Sequence, residues 1–150
     1  MHITRYTDYS LRVLIYLATN DEQLSTISDI AKSYDISKNH LMKIVQQLNL
    51  QGYLLAIRGK NGGIRLDRPA SDINIGHLVR DIEKKSNLVE CFGEENQCVI
   101  TPSCQLKRIF AEAQESFFKA LDAYSLEDLV GKEKQKQLSE LLTIHTSEIN

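Results

Sequence analysis

From Tyr6 to Thr19 the chain places Tyr9, Val13, Tyr16 and Leu17 three and four residues apart, with Leu11, Leu14 and Ile15 widening the same side. That spacing predicts an amphipathic helix with a broad, largely buried face. Asp8 falls in its first turn, where unpaired amides and the helix dipole stabilise a carboxylate. After the polar turn Asn20–Gln23, Ser25 or Thr26 opens a short helix through about Tyr34 that turns Ile27, Ile30 and Ala31 inward. Asp35-Ile36-Ser37 interrupts the pattern, and Ser37 is placed to cap a third helix running to about Gln51. On that helix Leu41, Ile44, Val45 and Leu48 recur on one face, while Lys38, Asn39, His40, Lys43, Gln46 and Gln47 occupy the other.

Two short helices, a tight turn and a small Ala31 where they cross predict a helix-turn-helix whose second helix is polar and basic. Asparagine and glutamine amides can pair with adenine edges and lysine can reach guanine or phosphate, so these residue types suit the major groove. Gly52 then ends the helix. Tyr53 to Arg58 and Ile64 to Asp67 read as two strands joined by the glycine-rich turn Gly59-Lys60-Asn61-Gly62-Gly63. A basic hairpin directly after a recognition helix is a wing, with Arg58, Lys60, Asn61 and Arg65 available for groove or phosphate contacts. The turn lacks the spacing of a nucleotide-binding phosphate loop and joins strand to strand, which sets that reading aside.

Further on, Leu78, Val79 and Ile82 predict a helix from about Ile75 to Lys85. Thr101-Pro102 launches a longer one to about Tyr124, with Pro102 in the first helical position. Its apolar positions Leu106, Ile109, Phe110, Ala113, Phe117, Ala120, Leu121 and Tyr124 make a stripe that needs a partner, and a two-fold dimer is the simplest supply. Packing against the first helix is the alternative. Ser125 to Asp128 reads as a capping box opening a short helix through Val130. The fold class is therefore mainly α with a small β-hairpin wing: a winged helix-turn-helix domain with its supporting helix over 1–85, a cysteine loop over 86–104, a long dimerisation helix and short following helix over 102–131, and a frayed tail over 132–150.

Charge strengthens the nucleic-acid reading despite a net −2 over the 150 residues. Residues 1–68 carry a net +3 and residues 69–150 a net −5. From Ile36 to Leu66 no acidic residue occurs, while Lys38, Lys43, Arg58, Lys60 and Arg65 all fall there, a strip suited to a polyanion. The longest apolar runs are a few residues, so no membrane span is expected and the protein is expected in the cytoplasm.

All three cysteines, Cys91, Cys98 and Cys104, lie in ECFGEENQCVITPSC with spacing C-x6-C-x5-C. An odd number of thiols in a reducing compartment argues against a disulfide framework and for metal or redox chemistry. Thiolate-rich sites suit zinc, copper(I) or iron–sulfur clusters, and a cubane cluster normally wants four protein ligands. The fourth ligand must come from elsewhere in the chain, from a second subunit or from solvent. Cys104, in the expected first turn of the long helix, is placed where the dipole favours thiolate. No C-x-x-C and no recognisable nucleophile–base pair is present, so an enzyme is not expected.

TRYTDYSLR, TISDIAKSYDISKNHLMKIVQQL, GKNGGIRL and a three-cysteine loop ending in TPSC occur here in an order that resembles the winged-helix regulators related to IscR, and within them the nitric-oxide-sensing repressors. The resemblance runs to about Val130. It implies a homodimer on palindromic double-stranded operator DNA, crossed long helices, and one iron–sulfur cluster per subunit, of the 4Fe-4S kind ahead of 2Fe-2S. It also implies the missing ligand: Lys107 stands where some members have a ligating histidine, whereas Asp8 matches the aspartate that others offer across the dimer. Cys91, Cys98, Cys104 and Asp8 of the partner subunit are then the expected ligands, and release of DNA by nitric oxide the expected function. A cluster- or iron-status regulator, a structural zinc completed by Asp8 or His77, and metal-free thiol redox sensing are the alternatives.

Overall fold

The computed structural model describes residues 2–144 and contains, among them, seven α-helices and one β-hairpin. Helix α1 (Arg5–Thr19) starts at Thr4, whose side chain accepts from the Thr7 amide, and buries Val13, Leu14, Tyr16 and Leu17. Helix α2 (Ile27–Tyr34) is capped by Thr26, not Ser25. Ser25 is buried, takes a hydrogen bond from Asn20 and pairs its backbone with Ile64 of the wing. Asp35 ends α2 in the left-handed conformation at φ 52°, which turns the chain tightly into α3 (Lys38–Leu50). Asparagine and aspartate tolerate that conformation better than most residues.

Strands β1 (Leu54–Ile57) and β2 (Gly63–Leu66) pair antiparallel with Leu54 opposite Leu66 and Ile57 opposite Gly63. Two of the wing glycines are required by the fold itself. Gly59 takes φ 108°, and a Cβ on Gly62 would lie 2.1 Å from the Ile57 carbonyl oxygen. The core gathers Val13, Leu14 and Leu17 of α1, Ile30 of α2, Leu41, Ile44 and Leu48 of α3, Leu54 and Ile64 of the wing, and Ile73, Leu78 and Val79.

Helix α4 (Ile75–Glu83) is capped by Asn74, and helix α5 (Gln105–Asp122) lies against it. The two are locked at one end: the Asn74 amide donates to the Asp122 carbonyl, Arg80 pairs with Asp122 and Glu115, and the same guanidinium stacks over Phe118. The intramolecular partner of the long helix is thus α4 rather than α1. Its start also differs from expectation. Thr101–Ser103 forms a 3-10 turn, Cys104 is the N-cap and the α-helix begins at Gln105. Thr101 therefore does not cap α5; its hydroxyl donates to the Cys98 carbonyl.

Helix α6 (Leu126–Val130) opens with the Ser125/Asp128 capping box and buries Leu126. The tail expected to fray instead forms α7 (Lys132–Leu141), and residues 145–150 lie outside the described part. Leu142 is buried, Ser33 donates to its carbonyl oxygen, and Gln135 donates to that of Thr19. A surface supplied by α1 and α2 thus orders a segment whose own sequence is weakly apolar.

Candidate DNA-reading face and cysteine loop

Because Leu41, Ile44, Val45 and Leu48 are anchored in the core, the far side of α3 is forced outward. Ser37, Lys38, Asn39, Lys43, Gln46 and Gln47 are all exposed, and so are Arg58, Lys60, Asn61 and Arg65 of the wing. Among the described residues, none of Lys38, Lys43, Arg58, Lys60 and Arg65 is held in an ion pair. Ser37 occupies the N-cap position, is exposed and makes no side-chain capping bond, so its hydroxyl satisfies none of the first amides of α3. Asn49 accepts a hydrogen bond from the Ala56 amide of β1 and fixes the wing relative to α3.

His40 is the least exposed of the expected set. It is half-buried, with its ring edge-on to Tyr9 at 5.1 Å between centroids. Its position at the start of α3 is therefore set by a contact with α1. The Arg12 guanidinium lies over Tyr9 at 5.3 Å and Tyr34 at 5.9 Å, and the Tyr34 hydroxyl donates to the Arg12 carbonyl. Burial, only partly offset by the Arg12 charge, pushes the Tyr34 phenol up to about 12.

Asp8, one turn from Arg12, holds that guanidinium through two hydrogen bonds, from Nε at 3.1 Å and Nη2 at 2.9 Å. Both side chains stay about 40% exposed (40% and 41%), which leaves the Asp8 carboxylate reachable from outside the chain.

Just past Glu83 the chain leaves α4 and enters the cysteine loop. Glu83 is clasped to the amino-terminal end of α1: its Oε1 accepts from the Thr4 amide at 2.9 Å, the Thr4 hydroxyl at 2.8 Å and the Thr7 hydroxyl. Burial works to raise the Glu83 pKa, and the hydrogen bonds from Thr7, Thr4 and Ser86 outweigh it, leaving the carboxyl below the ordinary glutamate range. The clasp fixes the base of the cysteine loop to the first turns of the helix that carries Asp8. Sequence periodicity gives no sign of it, since both threonines and the glutamate are common surface residues.

The loop holds itself together by polar contacts. The Asn96 amide donates to Thr101 Oγ1, the Asn96 carbonyl oxygen takes the Cys98 amide, and Glu90 takes that of Gln97. Cys98 is exposed and Cys91 and Cys104 are half-buried, all as free thiols. In kind, this sulfur-only donor set fits a thiolate-held iron–sulfur cluster. Three thiols fall one short of the four ligands a cubane cluster normally takes, and the described residues contain no group of three His, Cys, Asp or Glu side chains gathered to hold a metal ion. His77 is on α4 with its amide bonded to Asn74, and Lys107 lies beside Cys104 in an open cavity also lined by Phe92 and Arg108.

A family model described as Rrf2, iron-dependent transcriptional regulator, matches residues 3–132. The chain belongs to the Rrf2 family. The HTH-type transcriptional regulator NsrR of Bacillus licheniformis is 52% identical over 132 residues, 87% of this chain and 92% of that protein. NsrR of Bacillus subtilis is likewise 52% identical over 132 residues, with 87% and 90% covered. Among solved structures, T. potens IscR matches with a TM-score of 0.72 at 20% identity over 91% of both chains. CymR of B. subtilis matches with 0.66 at 25% identity over 86% of this chain and 95% of that one. As an Rrf2 member the chain is a winged-helix transcriptional regulator and not an enzyme. Among the described residues no helix is long and apolar enough to cross a membrane.

Proposed function

We propose that this Rrf2 protein is a cytoplasmic repressor that grips a palindromic operator as a homodimer while an iron–sulfur cluster is in place, and releases it in response to nitric oxide. The observation that carries the reading is the position of the thiols. Cys91, Cys98 and Cys104 all lie in an uncovered loop whose base is clasped to the helix bearing an exposed Asp8. Half-identity to proteins named NsrR supports it.

On this reading the three cysteines supply thiolates to a cluster of the 4Fe-4S kind, and Asp8 of the partner subunit supplies the fourth ligand. The cluster would supply iron able to bind a diatomic gas, and Asp8, an oxygen donor in a sulfur-rich set, would be the ligand most readily displaced. Asp8 must leave Arg12 to reach the neighbouring chain, so each α1 becomes tied to the opposite subunit. Because His40 rests on Tyr9 of that same helix, the tie fixes the spacing of the two α3 helices, and its loss relaxes the fit to two half-sites.

The dimer itself is supported by α5. Leu106 is 53% exposed, Ile109 51%, Phe117 37% and Tyr124 54%, and with Ala113 and Ala120 they form a continuous apolar stripe on the side away from α4. A second copy crossing on that stripe would cover it.

The test is anaerobic operator binding by cluster-loaded protein titrated with nitric oxide. A coupling of roughly 1–3 kcal/mol gives a 5–150-fold loss of affinity. Unchanged affinity after the visible spectrum has been bleached rejects the reading, and a colourless, zinc-loaded protein indifferent to nitric oxide replaces it with a structural metal.

A further inference from the structure

Met42 stands out on the recognition helix. Leu41 just before it and Ile44 two residues on are completely buried, yet Met42 is 49% exposed. It lies three residues after Asn39 and four before Gln46, so the three side chains follow one another along the outer surface of α3. Two helical turns separate it from Asn49, which places both on one edge. That edge faces the wing, because Asn49 holds the Ala56 amide of β1. The exposed apolar side chain therefore belongs to the edge of the recognition helix that carries the wing contact, within the stretch from Ile36 to Leu66 that contains no acidic residue. Neither the core nor the α5 stripe uses it.

We propose that Met42 is a specificity-determining residue that reads a thymine methyl group in the major groove of each half-site. This rests on the DNA-reading part of the proposed function. The occupant follows from chemistry. The basic, acid-free strip selects a polyanion, and the thymine 5-methyl is the one apolar mark on the major-groove edge of the four bases. A thioether chain is flexible and polarizable enough to settle against it. Polar Asn39 and Gln46 on either side of it read hydrogen-bonding edges, so Met42 adds a distinction they cannot make, between thymine and any base lacking the methyl.

The experiment uses a duplex selected from random-sequence DNA by the cluster-loaded full-length protein. Each thymine is replaced in turn by uracil, which deletes only the methyl. Wild type is expected to lose about four-fold in affinity at one position per half-site, the equivalent of one methyl group returned to water. Met42→Ala and the length-preserving Met42→Gln are expected to bind the parent duplex correspondingly less well and to be indifferent to uracil at that position, leaving other positions unchanged. A uracil penalty identical in wild type and both variants at every position overturns the assignment, as does a selected duplex in which no thymine methyl matters. Failure of wild type to prefer any selected duplex over random DNA overturns the DNA reading itself, a separate result.

Discussion

The first half of the chain buries nearly all its apolar helix faces within one subunit, whereas from Arg80 to Ser125 not one side chain is buried. In the amino-terminal region Leu14, Leu17, Ile30, Leu41, Leu48 and Leu54 are almost wholly enclosed, and their enclosure determines which residues of α3 and the wing face out. In the cysteine loop and α5, Val99 is 92% exposed, Ile100 61% and Leu106 53%. A reader of DNA can be finished by one chain. The cysteine loop and α5, built on the same polypeptide, are left open on the side where a second copy would sit on the proposed reading.

The comparison breaks most sharply under core truncation. Leu48→Ala is expected to cost about 2–5 kcal/mol in chemical denaturation, since it opens a cavity beneath the recognition helix. Val99→Ala, removing a side chain that touches little, should stay within about 0.5 kcal/mol. Comparable losses at the two sites would erase the distinction.

A charge on the open side is next. Phe117→Glu is expected to weaken dimerisation by about 1.5–3 kcal/mol per subunit, the value of a buried aromatic side chain, as seen by sedimentation at micromolar concentration. Far-ultraviolet circular dichroism should remain that of wild type, because the partly exposed ring meets its own chain edge-on at Phe118, which Arg80 also holds in place. A variant that dimerises normally would remove α5 from the interface.

Glu83 joins the two regions and is sensitive to acid. Its folded pKa lies below the ordinary glutamate value, so its stabilising effect is complete above that value and is lost as pH falls through the depressed one. Glu83→Gln should therefore cost about 1 kcal/mol near neutrality, discounted for partial exposure, and the deficit should shrink on acidification below about pH 4. A deficit that is constant from pH 7 to pH 3 would mean that the clasp does not depend on its charge.

The smallest expected effects are on the finished side. Lys43→Ala or Lys60→Ala should weaken binding to all DNA sequences alike and lower the salt slope by about 1. Gln46→Ala should instead alter sequence preference. A lysine variant with the wild-type salt dependence does not contact phosphate.

The same division explains what could be read from the sequence. The helices α1 to α4 and the wing are legible because each buries a periodic face inside its own chain, and Leu41, Ile44, Val45 and Leu48 alone orient α3. Met42, exposed beside them, breaks no periodic rule and attracts notice only once the wing edge is located. The start of α5 was legible to within three residues: proline at the first position suits a 3-10 turn as well as an α-helix, and Thr101 is drawn to the Cys98 carbonyl. Helix α7 was not legible, because Leu138, Leu142 and Ile144 are too few to signal a face until α1 and α2 supply a surface. The arrangement of the thiols carries no periodic signal at all. Residue type and spacing narrow them to soft-metal or redox chemistry, and on the proposed reading their gathering depends on what lies outside one chain.

Mixed dimers decide whether a second chain completes the cysteine site. One subunit carries Asp8→Ala with its cysteines intact, and the other carries Cys104→Ala with Asp8 intact. If the ligand crosses between subunits, the mixed dimer rebuilds one complete four-ligand site, with the visible spectrum and nitric-oxide response of wild type at half the iron content. If mixing restores nothing beyond what the two parent variants show separately, the site is not shared and the account is wrong.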